Sequence, residues 1–277
     1  MTCCTASTSV APRRRIEIVE RMYQASNTNA AQKVCRILKT MSSPGALRLA
    51  DIVQGSGVSA PTTLRILDTL IEEGFVERDA ANKRYLLGQQ ALILGMAMQG
   101  RDHIRERARA SLVRLAALTG DTVLLSTRHG MESVCVDREF GNYPIRANYL
   151  DVGSRRPLGA GAGSLALLAW LPDEEVDALL PLLAPKLAAR YPLLTLARLR
   201  QEIQASREQG YALLLDVVVD QMGGIAVPIF GADGKPTAAL SVAALSQRIT
   251  SRMAMLVQAM KQEAAELSVA DAHGEAA

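Results

Sequence analysis

The sequence predicts an α+β protein with a helical N-terminal domain and a second domain built on an antiparallel sheet. Two short helical patterns separated by a glycine turn lie between residues 47 and 74. From residue 121 to 244, strand patterns recur with helical patterns between and after them. With 277 residues, of which 49% are apolar and 21% charged, the chain is long enough for two separate cores.

The first domain is organised around the helix pair. Residues Gly55–Gly57 end the first helix, and Ser59 is a plausible N-cap for the second, with Pro61 tolerated in its first turn. The second helix carries three polar side chains off its apolar face, Thr62, Thr63 and Arg65. Such side chains suit phosphate oxygens and base edges in a DNA major groove, and together with Ser59 they are the DNA-binding candidates of this helix. The pattern is typical of a helix-turn-helix, although similar helix pairs also occur in all-α cores.

A predicted hairpin directly after the helix pair favours the DNA interpretation. Residues 75–78 and 83–88 have strand patterns, and a polar turn joins them. A hairpin in this place is a wing, and Lys83 and Arg84 near its tip are suited to the phosphate backbone. Residues 1–100 hold 12 Lys or Arg against 8 Asp or Glu, whereas the remainder holds 19 against 20. The positive excess therefore lies with the motif, although a solvated charged face would give the same balance.

The second domain follows a helical segment over residues 89–118. Strands are predicted over residues 121–127, 132–138, 145–148, 211–219, 224–230 and 237–244. Helices are predicted over residues 173–183, 195–209 and 251–267. Helices flanking an antiparallel sheet make a layered α+β domain. The connecting helix is more apolar up to about residue 99 than a solvated linker requires, which makes it a candidate surface for a partner chain.

A glycine-rich helix start is the candidate small-molecule site. Residues 159–164 read Gly-Ala-Gly-Ala-Gly-Ser and lead into an apolar helix, whose free backbone amides suit an anion such as a carboxylate. The spacing differs from the GxGxxG fingerprint of dinucleotide-binding proteins. Ser164 has no histidine nearby in sequence and no Gly-x-Ser-x-Gly elbow to make it a nucleophile. Close packing alone is a further explanation of the glycines.

In chain order, these features resemble the IclR-type bacterial transcriptional regulators. The resemblance runs through residues 31–38, 49–52, 59–74 and 85–88, and it continues across the second half of the chain. It implies an N-terminal winged helix-turn-helix joined by a helix to a GAF-like α+β effector-binding domain. The expected divisions are a flexible arm (1–27), a DNA-binding domain (28–88), a linker helix (89–100), an effector-binding domain (101–268) and a disordered tail (269–277).

The resemblance also implies that a helix start supplies backbone contacts to a small organic acid and that late strands complete the pocket. On those strands this sequence departs from the family pattern. The usual acidic pair falls on two leucines, the common cysteine on a glycine, and one of two common serines on an alanine. Such a pocket should be roomier and more apolar, and it favours an aromatic or otherwise apolar acid over a very small polar keto acid. The candidate effector-binding residues are Gly161, Ala162, Leu214, Met222, Gly224 and Ser241.

We therefore expect a ligand-responsive transcription factor that binds operator DNA as a dimer or dimer of dimers, controls nearby catabolic or transport genes and performs no chemistry. The four cysteines and three histidines lack the spacing of a metal site, so we expect no metal, disulfide or cofactor, and a buried thiol at Cys35. No apolar stretch is long enough to span a bilayer, and residues 1–20 lack the core of a secretory leader, which favours the cytoplasm.

Two alternatives stay open. One is a ligand-sensing or adaptor protein without DNA binding, because Ala60 and Pro61 stand where many members of the resembled family carry polar residues. The other is a hydrolase-type enzyme, for which the sequence offers no nucleophile–base pair.

Overall fold

The predicted winged unit is confirmed. The computed structural model describes residues 29–42, 45–97 and 103–274, so the predicted N-terminal arm lies outside the described residues. The first domain contains α1 (Ala30–Met41), α2 (Leu49–Ser56), α3 (Ala60–Glu72), β1 (Val76–Arg78) and β2 (Tyr85–Leu87). The two strands pair antiparallel, with Val76 opposite Leu87. The helices and the wing share one core, formed by Ile37, Met41, Ile52, Val58, Leu67, Leu70, Val76 and Tyr85.

Local capping explains where these helices begin and end. The Asn29 side chain accepts from the backbone N–H of Gln32 at 2.8 Å, and the Gln32 side chain accepts from the Asn29 N–H at 3.0 Å. Gly57 ends α2 with a φ of 65°, a left-handed conformation that glycine adopts without strain. Ser59 is the N-cap of α3, as predicted, but its hydroxyl donates to Oγ1 of Thr62 instead of accepting from a backbone amide.

The second domain follows α4 (Gln89–Ala97). Its elements are α5 (His103–Thr119), β3 (Thr122–His129), β4 (Glu132–Glu139), β5 (Arg155–Pro157), α6 (Ala162–Ala169), α7 (Asp173–Arg190), α8 (Leu196–Gln209), β6 (Ala212–Leu215), β7 (Met222–Phe230), β8 (Pro236–Leu245), α9 (Ser246–Thr250) and α10 (Met253–Gly274). The sheet has the strand order β5-β4-β3-β8-β7-β6, and every neighbouring pair is antiparallel. The predicted α+β class is confirmed.

Helices cover both faces of this sheet. Helices α5 and α10 pack on one face through a core that includes Leu112, Leu115, Ile225, Val227, Leu240, Val242, Leu256 and Met260. Helices α6, α7 and α8 pack on the other face through a core that includes Leu165, Leu168, Leu180, Leu183, Leu199, Ala226 and Ala239. All eight residues of α6 are buried, so this helix lies between the sheet and the outer helices.

Four predicted elements differ from the structure, and one of them is the strand predicted over residues 211–219, which ends at Leu215. Residues 145–148 do not form a strand, because the outer edge of β4 pairs with Arg155–Pro157 instead. Helix α7 continues past residue 183 to Arg190 although it contains Pro181 and Pro185, since a buried apolar face holds it against the core. Helix α10 continues to Gly274, beyond the predicted start of a disordered tail at residue 269.

The expected burial of Cys35 is also wrong. Its side chain is exposed, because the apolar face of α1 is formed by residues 34, 37, 38 and 41 and residue 35 points away from it. None of the helices in the described ranges has the length and apolar character needed to cross a membrane.

Candidate functional site

A cavity of about 50 Å³ lies between the start of α6 and the sheet. All six candidate effector residues line it: Gly161, Ala162, Leu214, Met222, Gly224 and Ser241. They come from α6, β6, β7 and β8 and from the turn before α6, so only the fold brings them together. The structure also adds residues that the sequence analysis missed, among them Leu124, Ser126, Ser133, Tyr149, Leu150 and Arg156.

Glycine at two positions allows α6 to approach the sheet this closely. A Cβ atom on Gly163 would lie 3.2 Å from Oγ of Ser241 and 3.5 Å from Oγ of Ser126. A Cβ atom on Gly224 would lie 3.0 Å from the Cβ of Ala162, closer than most real contacts of this kind. Close packing therefore accounts for these two glycines. Of the two, only Gly163 belongs to the glycine-rich helix start, so packing explains part of that pattern.

The N-terminus of α6 presents backbone donors to the cavity. Gly161 precedes the helix with φ 107° and ψ 156°, and the first hydrogen bond of the helix runs from Leu165 N–H to Gly161 O at 2.8 Å. Among the described residues, no acceptor bonds the N–H groups of Ala162, Gly163 and Ser164, and all three residues are buried. Buried amides of this kind require a partner, and the positive end of the helix dipole favours an anionic one.

Ser164 has a structural role in this arrangement. Its hydroxyl donates to the carbonyl oxygen of Pro157 at 2.8 Å, which ties β5 to the first turn of α6. The side chain is buried and engaged, and the described residues place no histidine on the cavity wall. This geometry gives Ser164 no base and does not support a nucleophilic role.

Arg156 and Tyr149 bring charge and an aromatic ring to the cavity. The Cζ atom of Arg156 lies 5.1 Å from the centroid of the Tyr149 ring. Nη1 of Arg156 lies 3.2 Å from the point where a Cβ on Gly161 would be, so the guanidinium reaches the helix start. Burial lowers the pKa of Arg156, because desolvation disfavours its charged form. The available sequence signal was a cation five residues before Gly161.

The rest of the lining is largely apolar, as predicted, but the prediction of a roomier pocket is wrong, because the packing of α6 against the sheet leaves only a small cavity. Leu124, Leu214 and Met222 supply large apolar side chains, and Ser126 and Ser241 supply hydroxyls. An apolar cavity of about 150 Å³ accommodates benzene. A cavity of about 50 Å³ therefore holds an acid of a few heavy atoms, and an aromatic acid requires side chains of the lining to move.

The DNA-binding candidates divide into exposed and structural residues. Ser59, Arg65 and Lys83 are exposed, and Thr62 is half-buried. Thr63 is fully buried, and its hydroxyl donates to the carbonyl oxygen of Val58 at 3.2 Å. The prediction that Thr63 faces DNA is therefore wrong, because the packing of α3 against the preceding turn turns it inward.

The wing and the recognition helix show two further features. Nη1 of Arg84 donates to the carbonyl oxygen of Ala46 at 3.1 Å, so this side chain also fastens the wing to the loop before α2. Leu64, next to Arg65 in α3, is 40% exposed. An exposed leucine there offers apolar contact to a thymine methyl group.

Together, a winged helix-turn-helix and an α+β domain with a cavity at the start of a buried helix define a ligand-responsive DNA-binding transcriptional regulator, not an enzyme. The family model for the bacterial transcriptional regulator IclR C-terminal domain matches residues 96–269, and the model for the IclR helix-turn-helix domain matches residues 30–80. The chain belongs to the IclR family of bacterial transcriptional regulators.

Relatives and solved structures agree over most of the chain. The HTH-type transcriptional regulator KipR of Bacillus subtilis is 30% identical over 224 residues, which cover 80% of this chain and 89% of KipR. XynR of Escherichia coli is 30% identical over 203 residues, covering 73% of this chain and 80% of XynR. An IclR transcriptional regulator from Alicyclobacillus acidocaldarius superposes with a TM-score of 0.74 at 26% identity, covering 87% of this chain and 98% of that structure.

Proposed function

We propose that this regulator senses a small organic acid in the cavity at the start of α6 and that the bound acid changes its affinity for operator DNA near catabolic or transport genes. The observation that carries the proposal is that the N–H groups of three buried residues, Ala162, Gly163 and Ser164, have no acceptor among the described residues. A carboxylate supplies the acceptors that these donors lack and places negative charge at the positive end of α6.

A structural neighbour supports a carboxylate as the ligand class. An IclR homologue from Microbacterium hydrocarbonoxydans is described as complexed with 4-hydroxybenzoate, and it superposes with a TM-score of 0.70, covering 88% of this chain and 99% of that structure. At 22% identity this likeness concerns the fold. The acid bound by that homologue supports an acid as the ligand class for this chain, and the lining of this chain's own cavity supports a small one.

For the DNA side, we propose that α3 enters the major groove with its first turns. Arg65 and Thr62 are placed there to contact bases, while Ser59 and Lys83 contact phosphates. The later turns carry exposed Asp68, Glu72 and Glu73, which repel phosphate. The charge distribution along α3 therefore supports docking through its N-terminal half.

We further propose that two copies associate through α4. None of its residues is buried in the single chain, although it carries four exposed large apolar side chains, Leu92, Ile93, Leu94 and Met96. Contiguous apolar surface of this kind marks an interface. A dimer would also present two recognition helices to two operator half-sites.

Replacing Leu92 and Leu94 by glutamate should lower the mass measured by light scattering and weaken operator binding. Unchanged mass would place the interface elsewhere.

The acid proposal is tested with matched acids and amides. Propionate and benzoate are compared with propionamide and benzamide for thermal stabilisation of the full chain and for their effect on operator affinity. The acids, and not the amides, should stabilise the protein and shift operator affinity, because only an anion satisfies the helix start. Ala162→Leu should abolish both effects while operator binding persists, since the larger side chain fills the cavity.

A control variant separates this effect from a general response to a larger residue. Ala197 is exposed in α8, away from the cavity, and Ala197→Leu should respond to acids as the wild type does. Equal stabilisation by acid and amide would reject the anion site. Acid response that survives in Ala162→Leu would place the ligand elsewhere.

A further inference from the structure

We propose that Arg156 binds the anionic group of the effector and thereby makes the cavity select a charged acid over its neutral analogue. This inference rests on the proposed function and adds the side chain that determines the charge of the ligand. Arg156 was not among the residues predicted from the sequence, and it lies on β5 rather than on the late strands or the helix start.

The first argument is position. Nη1 of Arg156 comes within 3.2 Å of the Cβ position of residue 161, and Gly161 is the residue directly before the free amides of α6. The hydrogen bond from Ser164 to Pro157, 2.8 Å long, holds β5 beside the same helix turn. The guanidinium and the amides therefore converge on one place, where a carboxylate can accept from both.

The second argument is the missing counter-ion. Three arginines on β3, β4 and β5 of the same sheet have carboxylate partners: Arg128 with Glu175 at 2.7 Å, Arg138 with Asp151 at 2.6 Å and Arg155 with Glu132 at 3.3 Å. Within the part of the chain that the structure describes, Arg156 forms neither an ion pair nor a hydrogen bond. Desolvation lowers its pKa, which indicates that its surroundings disfavour the charge they contain.

The third argument is that the ring contact alone does not account for this arginine. Arg138 and Arg248 also lie over aromatic rings, those of Phe140 and Tyr143. Both of these arginines additionally bind a carboxylate. The ring of Tyr149 instead leaves the guanidinium of Arg156 free to bind an anion while restricting its direction. A cation beside a positive helix end is unfavourable until an anion binds, and this makes Arg156 a ligand-binding residue.

The test compares Arg156→Gln with Arg155→Gln, using propionate, benzoate and their amides as probes. Arg155 is the adjacent residue on β5 and already pairs with Glu132, so its variant controls for loss of one positive charge on the strand. In Arg156→Gln the Kd for the acids should rise about 10- to 100-fold, since a hydrogen bond to a charged group contributes about that much. The Kd values in Arg155→Gln should stay close to those of the wild type.

Ligand-free stability gives a second readout that requires no effector. Arg156→Met should melt at the same temperature as the wild type or above it, because it removes a cation that has no partner. A residue needed for structure would instead lower the melting temperature when replaced. A lower melting temperature for Arg156→Met, with acid binding unchanged in Arg156→Gln, overturns the inference.

The outcomes also distinguish this inference from the proposed function. If acids bind the wild type, fail to bind Ala162→Leu and bind Arg156→Gln with unchanged Kd, the acid site stands and the role of Arg156 is rejected. If neither acid binds the wild type or shifts its operator affinity, the acid function itself is rejected together with the role of Arg156.

Discussion

Nη1 of Arg156 lies 3.2 Å from the Cβ position of Gly161, so the absence of a side chain at 161 gives the guanidinium its place at the start of α6. Gly161 also has φ 107° and ψ 156°, a region that is essentially restricted to glycine. Gly161→Ala should therefore destabilise the second domain by about 1–3 kcal/mol. It should also weaken acid binding. Urea unfolding and thermal shift with propionate measure the two effects.

A second glycine provides the control for the cost of placing a side chain on a backbone with positive φ. Gly130 has φ 64° in the turn between β3 and β4, with open space around its Cβ position. Gly130→Ala should show a stability loss without any change in acid binding. If Gly161→Ala behaves in the same way, the glycine is needed for its backbone conformation and not for access to Arg156.

Thr63 supports the fold of the DNA-binding domain and should not determine its specificity. Its hydroxyl is fully buried and donates to the Val58 carbonyl at 3.2 Å. Thr63→Val should lower the free energy of unfolding by about 0.5–1.5 kcal/mol, the usual contribution of one such hydrogen bond. Operator affinity should be unchanged below the melting temperature.

The Arg65→Ala variant should show the opposite pattern. Its operator binding should weaken by about 1–3 kcal/mol, while its free energy of unfolding stays at the wild-type value.

Lys83 lies at the wing tip, exposed, with a φ of 57°. Its ammonium is placed to bind phosphate, which has no sequence preference. Lys83→Ala should weaken binding to operator and unrelated DNA alike and reduce the salt dependence of log K by about one unit. Titrations at several salt concentrations measure the slope. A change in preference between DNA sequences would show that the wing reads bases.

The elements of the first domain could be predicted because their signals are local. The glycine that ends α2, the N-cap at Ser59 and the hairpin after α3 each act within a few residues. The orientation of the Thr63 side chain is not determined by such local signals. It depends on how α3 packs against the turn before it, and a polar residue near a helix start has the same sequence signature in either orientation.

The cavity shows the same division between local and tertiary information. Gly161 and Ala162 were predictable from a glycine-rich helix start, and the candidates on β6, β7 and β8 followed from the family resemblance. The position of Arg156 in the cavity could not be predicted, because its strand is three residues long and pairs only with the edge of β4. A strand this short has no alternation that indicates which side chain faces inward. The same shortness explains why residues 155–157 were not predicted to form a strand.

The two described cysteines should differ sharply in reactivity. Cys135 is buried, and burial raises the pKa of its thiol to about 11, so the reactive thiolate is scarce at neutral pH. Cys35 is exposed on α1. Iodoacetamide at neutral pH followed by peptide mass spectrometry should therefore show modification of Cys35 and protection of Cys135 in the folded protein. Equal labelling of both residues without denaturant would show that the core around Cys135 opens readily.

Asp121 should be among the most sensitive positions of the second domain. Its side chain is 0% exposed and receives hydrogen bonds from Arg248 at 3.0 Å and from Arg252. These contacts join the start of β3 to α9 and to the turn before α10, which are far away in sequence. Asp121→Asn removes the negative charge and leaves two partly buried guanidinium groups with reduced compensation. Breaking a buried pair in this way costs about 3–5 kcal/mol.

The expected loss is measurable by thermal unfolding and has a matched control. In a domain of this size, 1 kcal/mol corresponds to about 2–4 °C, so Asp121→Asn should lower Tm by at least roughly 6 °C. Asp177 binds Arg200 at 2.7 Å, but both side chains are mostly exposed. Asp177→Asn should cost less than about 1 kcal/mol, because water screens the pair and solvates the arginine left behind. Similar losses for the two variants would mean that burial does not set the strength of the Asp121 cluster, and that the helices after β8 are held to β3 by apolar packing alone.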